Sequence, residues 1–331
     1  MVLRTALDAL LELSVVGSFT RIGPGVRRRL FAWSDPAPGA LVGRTALVTG
    51  PTSGLGRVVA EDLAALGARV VLVGRSEERL SRVRDELAAR YGEDRFPIVI
   101  ADMSSLASVR RAAERVLVTE ARLDVVVDNA GTIYAQRSES PDGIEATLAV
   151  LTVGPFALIA GLLPLLRATP GSRVIATTSG GMYTQPLDLE DLQWTARPYS
   201  GPRAYAQAKR AQMALIREWA RRFAGSGTTF HAMHPGWADT PGLADTLPAF
   251  YRLMRPLLRT PEEGADSVTW LATTPDVGPL DGMLILDRRP RPFDRVPWTR
   301  VSASERRRLW DAVVDLSGVV DPSTEDVAVH S

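Results

Sequence analysis

Short apolar runs alternate along the chain with longer stretches whose apolar residues recur at helical spacing. The runs at 45–49, 69–74, 96–101, 123–128, 172–178, 228–234 and 282–286 read as strands. Helical patterns fill most of the gaps between them. Strands alternating with helices predict a doubly wound parallel α/β sheet, Rossmann-like, of about seven strands. This single domain is expected over residues 43–288. Before it, Leu3, Leu7, Leu10, Leu11, Ser14 and Val15 follow helical spacing and predict a helical extension over 1–42. A basic and aromatic cluster, Arg27 to Trp33, and a Pro/Gly stretch at 36–39 complete that extension. After it, 289–331 reads as a peripheral tail, helical at 304–316 and disordered at 321–331. Within the domain, 243–254 reads as a mobile apolar helix, a natural lid, and 262–272 as a further helix.

Two stretches bear on membranes. Residues 146–166 carry no charge and pass a hydropathy test for a span. Gly154, Pro155, Gly161 and Pro164 interrupt them, and they lie between two strands of one sheet, so a buried helix is expected. The N-terminus lacks the layout of a signal peptide. Residues 1–33 are either helices packed on the domain or a peripheral membrane contact. The reading is a cytoplasmic protein, with membrane association through that segment as a candidate.

Composition removes several chemistries. A net charge of +1 gives no electrostatic case for nucleic acid. There is no cysteine, hence no thiol nucleophile or thiolate site. His231, His234 and His330 have no ligand spacing, so no metal is expected. The oligomeric state stays open.

One charge stands out. Lys+Arg number 39, yet only Lys209 is a lysine. It lies four residues after Tyr205, and on a helix those positions share a face. An ammonium beside a phenol favours the phenolate, lowering a pKa that is normally about 10. Tyr205 is therefore a candidate general acid/base near neutral pH.

Other candidate residues cluster at strand ends. The first strand runs into Gly50-Pro-Thr-Ser53-Gly54-Leu55-Gly56 and then a helix, the layout that binds a dinucleotide pyrophosphate. The spacing is G-x-x-x-G-x-G. The second strand ends at Arg75, where an NAD site normally carries Asp or Glu; an arginine there accommodates a 2′-phosphate. This favours NADP(H) over NAD(H), with Arg57 as a second positive charge. The third strand ends in Asp102-Met103, the fourth in Asn129-Ala130-Gly131, and the fifth delivers Ser179. In parallel sheets ligands bind beyond the strand C-termini, where all of these fall.

Taken together, Thr49-Gly50-x-x-x-Gly54-x-Gly56, Asn129-Ala130-Gly131, Ser179, Tyr205-x-x-x-Lys209 and Pro235-Gly236 resemble the short-chain dehydrogenase/reductase superfamily. Ser179-Gly-Gly-Met182, Tyr205-Ala-Gln-x-Lys209-Arg210 and Met233-His-Pro-Gly-Trp-Ala-Asp-Thr-Pro-Gly242 are most like its family-member-12 branch. The resemblance implies an oxidoreductase moving hydride between a nicotinamide cofactor and a small-molecule carbonyl or secondary alcohol. It implies Tyr205 as acid or base, Ser179 as the holder of the carbonyl oxygen, and Lys209 as support for both tyrosine and ribose. It implies Gly50, Ser53, Gly54, Leu55 and Gly56 around the phosphates, and Asp102 and Met103 at the adenine. Asn129, Ala130 and Gly131 would lie on the adenosine side, and Pro235, Gly236, Trp237 and Thr240 at the carboxamide. Met182, Tyr183, Trp237 and Leu243 are candidate walls for a lipophilic substrate. One position departs: aligning on Gly154 puts Leu151 where the superfamily carries a catalytic asparagine. An impaired proton relay, or a cofactor-binding protein with weak turnover, is the alternative this raises. Thr152 points away around the helix, and Thr147 is the candidate replacement.

Overall fold

In the computed structural model three helices open the chain: α1 (Val2–Leu13), α2 (Val15–Phe19) and α3 (Ile22–Leu30). Residues 2–324 are described, apart from the side chains of Val2, Asp245 and Thr246. The alternation follows as β1 (Thr45–Thr49), α4 (Gly54–Ala65), β2 (Arg69–Gly74), α5 (Glu77–Tyr91), β3 (Ile98–Ile100), α6 (Leu106–Thr119) and β4 (Val125–Asp128). The central helix is continuous over Ala146–Ala168. It comprises α7 (Ala146–Leu148), a π-helical turn at Ala149–Val153, and α8 (Gly154–Ala168). Then come β5 (Arg173–Thr177), α9 (Gly201–Arg222) and β6 (Thr229–Met233). The chain ends with α10 (Pro241–Thr246), α11 (Pro248–Met254), α12 (Pro261–Thr273), β7 (Leu284–Leu286), β8 (Arg289–Arg291) and α13 (Ala303–Ser317).

The sheet order is β3-β2-β1-β4-β5-β6-β7-β8. The first seven strands are parallel, as the alternation predicts, and β8 runs antiparallel to β7. The order reverses between β1 and β4, which opens a crevice beyond their C-terminal ends. One face of the sheet packs on α4, α5 and α12 through Leu63, Leu80, Leu87 and Leu271. The other packs on α6, α8, α9 and α13.

The central helix explains its own composition. Among the described residues it is the one helix long and apolar enough to cross a membrane, yet 78% of its most apolar window is buried in the protein. Gly154 is needed because a Cβ there would stand 2.2 Å from the Met103 carbonyl.

Four expectations need correction. An eighth strand follows β7 through a tight turn in which Asp287 and Arg288 have φ of 54° and 57°. Glycine or asparagine usually marks such turns; here buried ion pairs hold it instead, Asp287 meeting Arg27 at 2.5 Å and Arg259 at 2.6 Å. The C-terminal segment is not peripheral: Trp310 is fully buried, its ring 4.6 Å from Trp219 and 4.9 Å from Phe156. Asp321, expected to be disordered, accepts a hydrogen bond from the Trp310 indole at 3.2 Å; residues 325–331 lie outside the described residues. The segment 243–254, expected as one helix, lies in two short ones divided at Leu247–Pro248.

The N-terminal helices join the domain through charge. Arg27 is fully buried and pairs with Asp8 and Glu12 at 2.7 Å each. Arg291 meets Asp8 at 2.9 Å. Arg27 is thus a structural member of the basic cluster. Leu3, Leu7, Leu10, Leu13, Val15 and Val16 face outward and stay exposed.

Candidate active site

The turn after β1 is shaped for a close ligand. Gly50 and Gly54 have φ of +68° and +52°, conformations that favour glycine. A Cβ on Gly56 would stand 2.2 Å from the Gly50 carbonyl. Asn129 braces this turn from β4: its Nδ2 donates to the Thr49 carbonyl at 3.1 Å and the Gly50 carbonyl at 3.4 Å. The Thr49 hydroxyl accepts from the Asn129 and Ala130 N–H groups at 2.9 Å each. Ser53 sits in extended conformation at the N-cap of α4 and makes no side-chain bond to that helix. Its hydroxyl and the open N–H groups of α4 face one cleft, a cradle that fits a pyrophosphate.

That cleft, roughly 2020 Å³, is lined by Gly50, Ser53, Gly54, Leu55, Arg75, Asp102, Met103, Asn129, Ala130 and Gly131 at one end. Ser179, Tyr205, Lys209, Pro235, Gly236, Trp237 and Thr240 line the other. Of the cofactor and catalytic residues expected from the sequence, all but Gly56 therefore line one cleft; Gly56 is buried behind it, packed against the Gly50 carbonyl and Asn129. Arg57 does not: it pairs with Glu86 at 2.9 Å and Glu61 at 3.3 Å on the surface of α4. Met182 is a core residue beside Thr178, while Tyr183 and Leu243 do form walls. The sequence reading missed Arg79 and Glu78, which stand near Arg75 on α5, and Phe19, which arrives from the distant N-terminus. Arg79 lies four residues past Arg75, a spacing that could have drawn attention; nothing local announces Phe19.

At the chemical end, α9 places Tyr205 and Lys209 on one face. The Ser179 hydroxyl stands beside the Tyr205 phenol and acts to pull its pKa down. Burial outweighs it, so the phenol is pushed up, not down as expected. The physical reason is where the ammonium goes. Lys209 Nζ lies 6.0 Å from the Tyr205 ring centroid and donates to the Thr177 carbonyl at 2.6 Å and to Gln212 Oε1 at 3.1 Å. Burial lowers Lys209 to about 8.

Leu151 is fully buried in the π-helical turn and carries no hydrogen-bonding group. Thr147 does not replace it: its hydroxyl is 2.9 Å from that of Tyr199, which donates to Glu145 at 3.0 Å. Thr152 donates to the Ala208 carbonyl at 3.2 Å. His234, beside the cleft, is held neutral; burial pushes its pKa down to about 3. Its Nδ1 accepts from the Gly236 N–H at 2.9 Å and fixes the Pro235–Gly236 turn.

A sheet reversal with a glycine cradle at one end and a Ser–Tyr–Lys set at the other defines a dinucleotide-dependent oxidoreductase. A family model described as short chain dehydrogenase matches residues 44–249, and the chain belongs to the short-chain dehydrogenase/reductase family. It is similar to dehydrogenase/reductase SDR family member 12 of Bos taurus, 35% identical over 278 residues, covering 83% of this chain and 86% of that one. It is similar to retinol dehydrogenase 14 of Mus musculus, 32% identical over 301 residues, covering 86% and 88%. Among solved structures it resembles the Pseudomonas aeruginosa RhlG/NADP active-site complex, with TM-score 0.62 and 29% identity over 76% of this chain and 97% of that one.

Proposed function

We propose that the chain is an NADP(H)-dependent oxidoreductase acting on a carbonyl or secondary alcohol of a lipophilic small molecule. The observation that carries this is the convergence of Ser179, Tyr205 and Lys209 in a cleft whose outer walls include Val15, Phe19, Trp237, Leu243 and Phe250. The Gly50 to Gly56 turn would hold the dinucleotide, whose nicotinamide would supply or accept the hydride. The chain's own residues handle the oxygen. Ser179 donates to the carbonyl oxygen and holds it beside the Tyr205 hydroxyl. Tyr205 gives that oxygen its proton in reduction and takes it back in oxidation. Lys209 keeps positive charge near the phenol and orients the ribose. The apolar walls exclude water and select an apolar substrate.

Preference for NADP(H) rests on Arg75 and Arg79 at the adenosine end, with Glu78 the opposing charge. The relatives support the substrate class only by likeness: one is named a retinol dehydrogenase. Oxidation of NADPH by a panel of apolar ketones and aldehydes tests the reading. Turnover that disappears in Tyr205→Phe, with cofactor binding retained, is the expected result. Cofactor binding without turnover on any member would favour a cofactor-binding protein instead.

We propose also that the enzyme rests on an anionic membrane surface. The exposed stripe Leu3, Leu7, Leu10, Leu13, Val15 and Val16 adjoins the cleft through Leu13 and Val15, and Arg4, Arg21, Arg28 and Arg29 are exposed around it. Cosedimentation with anionic vesicles should fall on raising salt and on replacing Leu3, Leu10 and Leu13 by Ser. Full-length protein that stays in the supernatant rules the contact out.

A further inference from the structure

Asp128 ends β4, is buried, and takes no part in the chemistry described above. Its Oδ2 accepts from Gln212 Nε2 at 2.5 Å, while Gln212 Oε1 accepts from Lys209 Nζ at 3.1 Å. The three side chains form one buried chain; their residues are 3%, 4% and 2% exposed. The other carboxylate oxygen, Oδ1, has no hydrogen-bond partner among the described residues. A carboxylate left half-satisfied away from water is costly unless a charge of opposite sign stands nearby. The charge that does so is the one ammonium of the whole side-chain set.

We propose that Asp128 and Gln212 are positioning residues for Lys209: Asp128 is the buried counter-charge that keeps the ammonium protonated, and Gln212 is the bridge that fixes its direction. This rests on the reading of Lys209 as the support of Tyr205. Each partner opposes what burial does to the other. Burial pulls Lys209 down to about 8, and Asp128 holds it up. Burial pushes Asp128 up to about 6, and Lys209 and Gln212 pull it down. Each partner thus favours the charged form of the other. The charged group acting on Lys209 is Asp128 and the one acting on Asp128 is Lys209. Tyr205, with Ser179 beside it, is the titratable group four residues before Lys209 on α9, and Arg210 follows Lys209 but turns to the Phe293 carbonyl and Asp294.

The consequence lies in how the Tyr205–Lys209 pair loses a proton. One form is a phenolate beside an ammonium; the other is a phenol beside an amine. They contain the same number of protons, so only their ratio decides how much base is present. Asp128 is bridged to the lysine, so it favours the ammonium form. Without it the pair gives up its proton at lower pH, but from the lysine. The oxidative profile of Asp128→Asn should therefore move to lower pH while its plateau falls.

The single lysine makes the test direct. Protein labelled with ¹⁵N-lysine gives one Nζ signal, and its titration reads Lys209 without turnover. In the wild type the signal should show its main inflection and a smaller acid one as Asp128 takes a proton. In folded Asp128→Asn the acid inflection should vanish and the main midpoint should fall by about one pH unit or more. Gln212→Met, which keeps both charges and breaks the bridge, should lower kcat several-fold with less movement of the midpoint. A wild-type titration without the acid inflection overturns the proposal, whatever the folding of the variants. So does an unchanged midpoint in Asp128→Asn. If the midpoint moves as expected and no substrate is turned over, the charge pair stands and the catalytic reading fails. If Tyr205→Phe is inactive while Lys209 titrates alike with and without Asp128, the catalytic reading stands and the charge pair fails.

Discussion

The carbonyl of Phe19 accepts a hydrogen bond from the backbone N–H of Trp237 at 2.7 Å. It accepts a second from Arg259 Nε at 3.1 Å. The N-terminal segment is thereby fastened to the loop that runs from Pro235 to Thr240 along the cleft. The Phe19 ring is buried edge-on to His234 at 4.4 Å and to Trp237 at 5.8 Å.

Phe19→Ala should therefore weaken both the fold and the site. Emptying a buried phenylalanine position costs about 3–5 kcal/mol, which chemical denaturation will measure. Because Phe19 packs on the substrate side and not at the phosphate cradle, KM for the carbonyl compound should rise more than Kd for the cofactor. A variant with normal KM would show that the ring supports the fold alone.

The proposed preference for NADP(H) rests on Arg75. It is exposed at the cleft and makes no ion pair among the described residues. An arginine–phosphate contact is charge-assisted and can be bidentate. Its loss in Arg75→Glu should cost NADPH binding on the order of 1.5–3 kcal/mol and leave NADH binding little changed. Fluorescence titration with both cofactors gives the ratio. Equal affinity of the wild type for the two would sink the assignment.

How far these features were legible differs by residue. The alternation of buried strands and helices is a local pattern, and it yields seven parallel strands with ends displaced by a few residues. The cleft residues were legible because a parallel sheet delivers every strand end to one edge. Phe19 and Trp310 were not, since their burial is created by contacts far along the chain. The turn at Asp287 and Arg288 lacks glycine because Arg27 and Arg259 stabilise it from other elements. Gln212 was within reach: it lies three residues past Lys209 on the same helix.

Asp62 makes stability depend on pH. Burial, with Asp266, Glu262 and Glu61 nearby, pushes its carboxyl up to about 6, against a hydrogen bond from Thr269 that lowers it. A carboxyl raised on folding stabilises the native state in acid, and that contribution is lost as pH rises from about 4 through 6. Asp62→Asn keeps an acceptor for the Thr269 hydroxyl, now 2.8 Å away, and carries no charge to desolvate. Its Tm should exceed that of the wild type at pH 8, and the gain should shrink below pH 6 and vanish near pH 4. A Tm at pH 8 equal to or below the wild type would show that Asp62 ionises there without penalty.

Leu151 supplies the sharpest test of the chemistry. Family likeness places an asparagine at this position, where it supports a water that returns protons to the lysine. Leucine has neither donor nor acceptor, and the two nearby threonines are engaged elsewhere, Thr147 with Tyr199 and Thr152 with Ala208. On the roles proposed for Ser179, Tyr205 and Lys209, hydride transfer itself does not involve position 151, so turnover should persist while proton resupply is slow. General acid–base contributions are typically about 10²–10⁴-fold, and a partly impaired relay should cost roughly 10-fold of that. Leu151→Asn should then raise kcat and reduce the solvent isotope effect. The same change places an amide in an apolar site, where a Cβ on Gly131 would stand 3.0 Å from the Leu151 side chain. Stability should fall by about 1–3 kcal/mol. The smaller solvent isotope effect is what separates a restored relay from a general loosening of the fold, which speeds opening or release and not proton resupply. If the folded variant turns over no faster than the wild type, protons reach Lys209 by a route that does not pass Leu151.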